Sequence, residues 1–187
     1  MHRLFIAIDF PEEIVKALSS LCFGVPGARW VRAEQLHLTL RFIGEVEGSF
    51  YKEIKEGLKD VTENSFSIHL NALGHFPPRK TPRVLWAGVE KNGPLVHLRN
   101  RINSVLFGLG LEPEKRKYSP HITIARLNNT HISKVADYLA INGLFDTNPF
   151  TVSKFSLYSS VLTPNGAIHK IEADYYLNKC LSIKGTN

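Results

Sequence analysis

The sequence predicts an α+β fold: a single two-lobed domain over residues 1–187, duplicated about a pseudo-twofold axis. Each lobe is expected to be an antiparallel sheet with helices on its outer face, and a cleft is expected between the lobes. Three observations predict this. His37-Leu38-Thr39-Leu40 is matched by His121-Ile122-Thr123-Ile124, a separation of 84 residues. Flanking patterns keep nearly that separation: 80 from Leu4 to Val84, 83 from Pro11 to Pro94 and 84 from Phe66 to Phe150. Both halves, approximately 1–80 and 81–187, run strand, helix, motif strand, helix, strand. A period this long, used twice, suits a two-lobed domain and not a solenoid.

Taken in order, Leu4 to Asp9 is a continuous apolar run and reads as a central strand. Asp9 is placed to cap a helix whose first turn holds Pro11, whose apolar stripe is Ile14, Val15, Leu18 and Leu21, and which ends before Gly24. Trp30-Val31 leads into the first motif strand, from His37 to Ile43, with Gly44 as its expected stop. Phe50 to Val61 carries Ile54, Leu58 and Val61 at helical spacing, and Phe66 to Leu73 reads as a strand. The proline-rich segment from Gly74 to Pro82 is expected to cross between the halves. Arg83 to Val89 is a strand, and Pro94 to Phe107 is a helix with Leu95, Leu98, Ile102, Val105 and Leu106 inward. A loop from Gly108 to Pro120 holds Lys115-Arg116-Lys117 and precedes the second motif strand, His121 to Leu127. Thr130 is the expected cap of a helix over Ile132 to Ile141, ended by Gly143. Two last strands, Phe150 to Val161 and Ala167 to Tyr176, are joined by Thr163-Pro164-Asn165-Gly166, which has turn chemistry.

With 43% apolar and 21% charged residues, the chain has the composition of an ordinary globular protein with a substantial core. No stretch approaches a membrane span, the apolar run after Met1 is too short for a signal peptide, and the cytoplasm is the expected location. Cys22 and Cys180 are the two cysteines, both in apolar settings, which fits core packing in a reducing compartment better than nucleophilic catalysis. The net charge of +6 favours an anionic partner such as RNA or a phosphorylated small molecule.

In a strand, residues i and i+2 share a face, so each motif places an imidazole beside a hydroxyl and sends two aliphatics to the core. Two imidazoles across a cleft suit paired general acid and base catalysis near neutral pH, because one can be neutral while the other is charged. Displacement at phosphorus needs that pair, with hydroxyls for the non-bridging oxygens and a cation for the charge that accumulates. Arg41 shares the parity of His37 and Thr39, so it is either a phosphate contact or a solvated strand-end charge. Arg126 has the opposite parity to His121 and Thr123 and reaches the cleft only if the strand bulges or ends near Ala125. A zinc shared by His37 and His121 is disfavoured, since Thr is a poor ligand and neither motif has Cys, Asp or Glu at ligand spacing. No cofactor is expected.

The paired His-x-Thr motifs resemble those of the 2H phosphoesterase superfamily, and the whole chain most resembles the RNA 2′,3′-cyclic phosphodiesterases once described as 2′-5′ RNA ligases. The resemblance is carried by Arg3-Leu4-Phe5-Ile6-Ala7-Ile8, Trp30-Val31, His37 to Gly44, Arg83 to Val89, and Ser119 to Arg126. It implies a metal-independent hydrolase opening a terminal 2′,3′-cyclic phosphate to a 2′-phosphate, with RNA ends or cyclic nucleotides as partners. It implies His121 as the base that activates water, His37 as the acid that protonates the 3′-oxygen, and Thr39 and Thr123 as phosphate holders. It also implies a phosphate contact for Arg126, hence a strand irregularity near Ala125, and pairs the two chain ends in one lobe with the middle in the other. Phe42 and Tyr118 are each either a stacking platform for the terminal base or core residues. Lys115, Arg116 and Lys117 either guide an RNA strand or form a solvated loop. Ligation to a 5′-hydroxyl and non-catalytic binding of RNA ends are the alternative activities, and a monomer is expected. No role is assigned to His2, His69, His75, His97, His131 or His169.

Overall fold

The computed structural model describes residues 1–163 and 166–179. Their strands are β1 His2–Ile8, β2 Ala28–Trp30, β3 Leu38–Val46, β4 Phe66–Ile68, β5 Leu70–Phe76, β6 Val84–Val89, β7 His121–Leu127, β8 Phe150–Val152, β9 Lys154–Thr163 and β10 Gly166–Tyr176. The helices are α1 Glu12–Ser19, α2 Gly48–Gly57, α3 Gly93–Gly108 and α4 Ile132–Ile141. Two four-stranded antiparallel sheets, ordered β10-β9-β1-β3 and β2-β7-β6-β5, form the lobes. The chain ends therefore build one sheet and the middle builds the other, so the sequence halves are not the spatial lobes. Strands cross between the halves: β5 of the first half pairs with β6 of the second, and β9 of the second half pairs with β1 of the first. In a separate two-stranded sheet, β4 and β8 pair antiparallel with Ser67 opposite Thr151. Those residues are 84 apart, so equivalent positions of the two repeats meet each other at the pseudo-twofold axis.

Each large sheet buries one face. Leu4, Ile6, Ile8, Leu38 and Leu40 of the first sheet join one apolar core with Ile14 and Leu18 of α1 and Ile54 of α2. Ile122 and Ile124 of the second sheet belong to the same core, with Leu95, Leu98, Ile102 and Leu106 of α3. Phe5, Ala7 and Tyr158, on the opposite face of the first sheet, form a separate small cluster, of which Phe5 lines the cleft. The alternation of β1 is thus read on both faces at once, which explains why its apolar run is unbroken. Among the described residues no helix is long and apolar enough to cross a membrane.

Several local expectations are corrected. The segment expected to cross from Gly74 is still strand through Phe76, while the strand expected from Phe66 is broken at His69. Gly74 is needed there because a Cβ would lie 2.2 Å from the Trp86 ring that covers it. The first motif strand runs through Gly44, at φ +94°, to Val46, and the strand expected from Phe150 divides at Ser153. The helix expected at Phe50 begins at Gly48, and 58–60 form a tighter turn after it. Asp9 caps nothing, because its carboxylate accepts hydrogen bonds from Tyr158 and Ser156 instead. Thr130 donates to the Pro26 carbonyl, and His131 caps α4. Asn92, accepting from the Leu95 N–H at 2.9 Å, caps α3 ahead of Pro94. Pro164, Asn165 and Cys180 lie outside the described residues.

Leu38 and Ile122 are fully buried beside the two motif histidines. Leu38→Ala and Ile122→Ala are each expected to cost about 2–5 kcal/mol of unfolding free energy, seen as a lower urea midpoint at unchanged slope.

Candidate active site

Pairing of the two sheets in this way brings the motifs to one cleft of about 470 Å³, lined by His37, Thr39, His121 and Thr123. His37 stands immediately before β3 and His121 opens β7. Each ring is held the same way: His37 Nδ1 lies 2.7 Å from the Gln35 carbonyl, and His121 Nδ1 lies 2.8 Å from the Ser119 carbonyl. A carbonyl only accepts, so Nδ1 carries the proton in both rings and Nε2 is left for chemistry. The two imidazoles are thus preset as a matched pair.

Beyond each motif the strand bulges. Ile6 faces Arg41 and Ala7 faces Thr39, so Leu40 is an extra residue in β3. Leu85 faces Ala125 and Trp86 faces Thr123, so Ile124 is an extra residue in β7. A bulge adds one residue and reverses parity beyond it. Leu40 and Arg41 therefore both turn inward, as do Ile124 and Ala125, and the next residues, Phe42 and Arg126, reach the cleft. The irregularity expected near Ala125 is present, and its twin in β3 is what removes Arg41 from the cleft.

Comparison with known proteins places the chain in a family. The family model of the 2′-5′ RNA ligase superfamily matches residues 10–163. The chain is 36% identical over 171 residues to the RNA 2′,3′-cyclic phosphodiesterase of Archaeoglobus fulgidus, covering 90% of this chain and 96% of that one. It is 37% identical over 175 residues to the enzyme of the same name from Thermotoga maritima, covering 90% and 92%. The crystal structure of E. coli LigT complexed with 3′-AMP superposes with a TM-score of 0.78 at 26% identity, covering 94% of this chain and 98% of LigT. The chain belongs to the 2′-5′ RNA ligase superfamily.

In this superfamily member two of the expected contacts lie elsewhere. Arg41 is only 8% exposed; its Nη2 donates to the Glu112 carbonyl and its Nη1 lies 3.7 Å from Glu114. Tyr118 is no open platform, because Arg99 covers its ring at 4.4 Å and its hydroxyl donates to the Thr39 carbonyl at 3.2 Å. Burial carries the Tyr118 phenol well above the usual tyrosine range. Arg99 also binds Glu114 at 2.9 Å, so one carboxylate serves two guanidiniums. Phe42, by contrast, is 63% exposed and lines the cleft. Lys115, Arg116 and Lys117 are exposed and do not line it.

Four basic or imidazole side chains of the cleft were missed by the sequence reading: Arg3, Arg29, Arg32 and His169. Arg3 alternates with Phe5 on one face of β1 and was open to a parity argument, whereas Arg29 and Arg32 have opposite parity and Arg32 lies beyond β2, so parity could not place both. His169 offered no such signal, because β10 carries no motif. Among the described residues no three His, Cys, Asp or Glu side chains gather as a metal site.

The surroundings of the two rings differ. His37 stacks at 6.2 Å on Tyr158 and packs at 5.0 Å against Phe5 and 5.4 Å against His169. That burial, with repulsion from His169 and His121 against the favourable bond to Gln35, lowers its pKa from 6.5 to about 4. His121 has the edge of Phe76 at 4.9 Å. Since the folded value for His37 lies below the unfolded one, the unfolded chain binds the proton first; the stability due to neutral His37 is present above pH 6.5 and lost as pH falls toward about 4. Titration of the free protein followed by His37 ring resonances is expected to show an inflection near pH 4, moving upward when inorganic phosphate fills the cleft. An inflection that stays in place with phosphate bound contradicts an anion held beside His37.

Proposed function

We propose that this protein is an RNA 2′,3′-cyclic phosphodiesterase that opens a terminal cyclic phosphate to a 2′-phosphate by paired-histidine catalysis without a metal. The observation that carries the reading is the matched presentation of two Nε2 atoms, each backed by a carbonyl, in one cleft with two threonines and Arg126. His121 Nε2 takes a proton from water as the water oxygen bonds to phosphorus. The bond from phosphorus to the 3′-oxygen breaks, its electron pair stays on that oxygen, and His37 Nε2–H supplies the proton. Thr39, Thr123 and Arg126 hold the non-bridging oxygens, where negative charge accumulates. His37 is neutral in the free cleft, so its proton is gained with the substrate: a bound phosphodiester anion opposes the repulsion from His169 and His121.

Phe42 is the base platform, opposite the phosphate-holding Arg126 in the pseudo-symmetry. Arg3, Arg29 and Arg32 at the same cleft suit a strand with further phosphates, consistent with an RNA end as substrate. All these residues come from one chain, which suits a working monomer, and RNA turnover suits the cytoplasm. Relatives named RNA 2′,3′-cyclic phosphodiesterase in several organisms support the same activity.

Incubation of the protein with a 2′,3′-cyclic nucleotide in excess chelator is expected to yield the 2′-phosphate. His37→Ala and His121→Ala are each expected to reduce kcat by about 10²–10⁴-fold. Unchanged turnover in either variant contradicts the paired mechanism; binding without turnover in the native protein marks a binding module, and joining to an added 5′-hydroxyl end marks a ligase. Arg126→Ala is expected to weaken inhibition by inorganic phosphate by about tenfold or more, the worth of a charge-assisted hydrogen bond. Arg41→Met is expected to leave that inhibition unchanged, and equal losses in both variants contradict the bulge-based assignment.

A further inference from the structure

His169 is a third imidazole in the cleft, outside both motifs. It stands on β10, opposite Ser160 of β9, and lines the same cavity as His37 and His121. Its ring is fixed by two edge contacts, at 89° and 5.4 Å to His37 and at 74° and 4.8 Å to Phe5. Its Nδ1 is buried and has no hydrogen-bond partner. Nε2 is therefore the one ring nitrogen that can bond to anything entering the cleft. Opposite an anionic oxygen it does so as an N–H donor, which puts the single proton of the neutral ring on Nε2. Burial, then the Arg126 guanidinium, hold the ring below its ordinary pKa and favour that neutral form.

We propose that His169 is a substrate-binding residue whose Nε2–H donates to a phosphate oxygen of the ribose-phosphate end, on the His37 side of the cleft. The inference rests on the phosphodiesterase reading for its ligand and deepens it. The threonines and Arg126 serve the oxygens along the two motif strands, and His169 supplies a donor from the neighbouring hairpin. A neutral donor there has a specific advantage: a second cation beside His37 would oppose the proton that His37 must hold to act as the acid. It also makes the cleft directional, since the described contacts of His121 include Phe76 and no second imidazole.

The test uses the full chain labelled with ¹⁵N-histidine and titrated with inorganic phosphate, then with a nucleoside 2′-monophosphate. The His169 Nε2 resonance is expected to move with the same midpoint as those of His37 and His121. His169→Phe keeps a flat ring against Phe5 and His37 but has no donor, and is expected to raise the phosphate Kd by about tenfold, the scale of a hydrogen bond to a charged group. His169→Gln restores an N–H and is expected to return Kd to within about threefold of native, with both variants melting near the native temperature. The proposal is overturned if phosphate moves His37 and His121 while His169 stays fixed, if His169→Phe binds phosphate as tightly as the native protein, or if His169→Gln binds no better than His169→Phe. A protein that binds phosphate with the His169 shift but turns over no cyclic phosphate loses the phosphodiesterase reading and keeps this one. If phosphate shifts none of the three rings, both fall.

Discussion

The cleft depends on where two strands break their alternation. A regular strand continuing through Leu40 would carry Arg41 into the cleft and turn Phe42 away. A regular strand through Ile124 would bury Arg126 and leave Ala125 facing the ligand. An inserted residue at Leu40 and another at Ile124, 84 positions apart, let consecutive side chains turn to the core and hand the cleft to the residue after them. The apolar core enforces the insertion, because Leu40, Ile124 and Ala125 are all buried by 1% exposure or less and have nowhere else to go.

The same backbone, used twice, then carries different side chains. Phe42 occupies on one side the place that Arg126 occupies on the other. His37 sits among Phe5, Tyr158 and His169, whereas His121 has Phe76 at its edge. Backbone symmetry supplies two rings held alike by carbonyls, and the side chains packed around His37 lower its proton affinity. In the free cleft that lowering runs against the acid role proposed for His37, so the proton it would donate has to come with a bound phosphodiester anion that offsets the repulsion from His169 and His121.

Behind the cleft, a second set of polar groups ties the lobes together. Arg41 and Arg99 share Glu114, Arg99 covers Tyr118, and Tyr118 donates to the backbone of Thr39. Tyr118 is close in sequence to Ser119, whose carbonyl orients His121, so the loop that aims one imidazole is bonded to the strand that carries the other motif. Arg41 is a buried charge that keeps a partner only while that network is whole, which makes it a structural residue.

Much of this was legible in the residues. The alternation of His-Leu-Thr-Leu and His-Ile-Thr-Ile, their spacing and the flanking elements determined the duplication, the α+β class and the four motif residues, since strand parity is a local rule. The irregularity near Ala125 also followed once Arg126 was required in the cleft. Applying the repeat back to Leu40 would have excluded Arg41, but parity alone has no term for a bulge. Tertiary structure decided the rest. Which half donates each strand to which sheet, the covering of Tyr118 by Arg99 and the arrival of His169 beside His37 all depend on pairing between residues far apart in the chain. No local pattern encodes those contacts, because they are settled by which buried faces find each other when the sheets close.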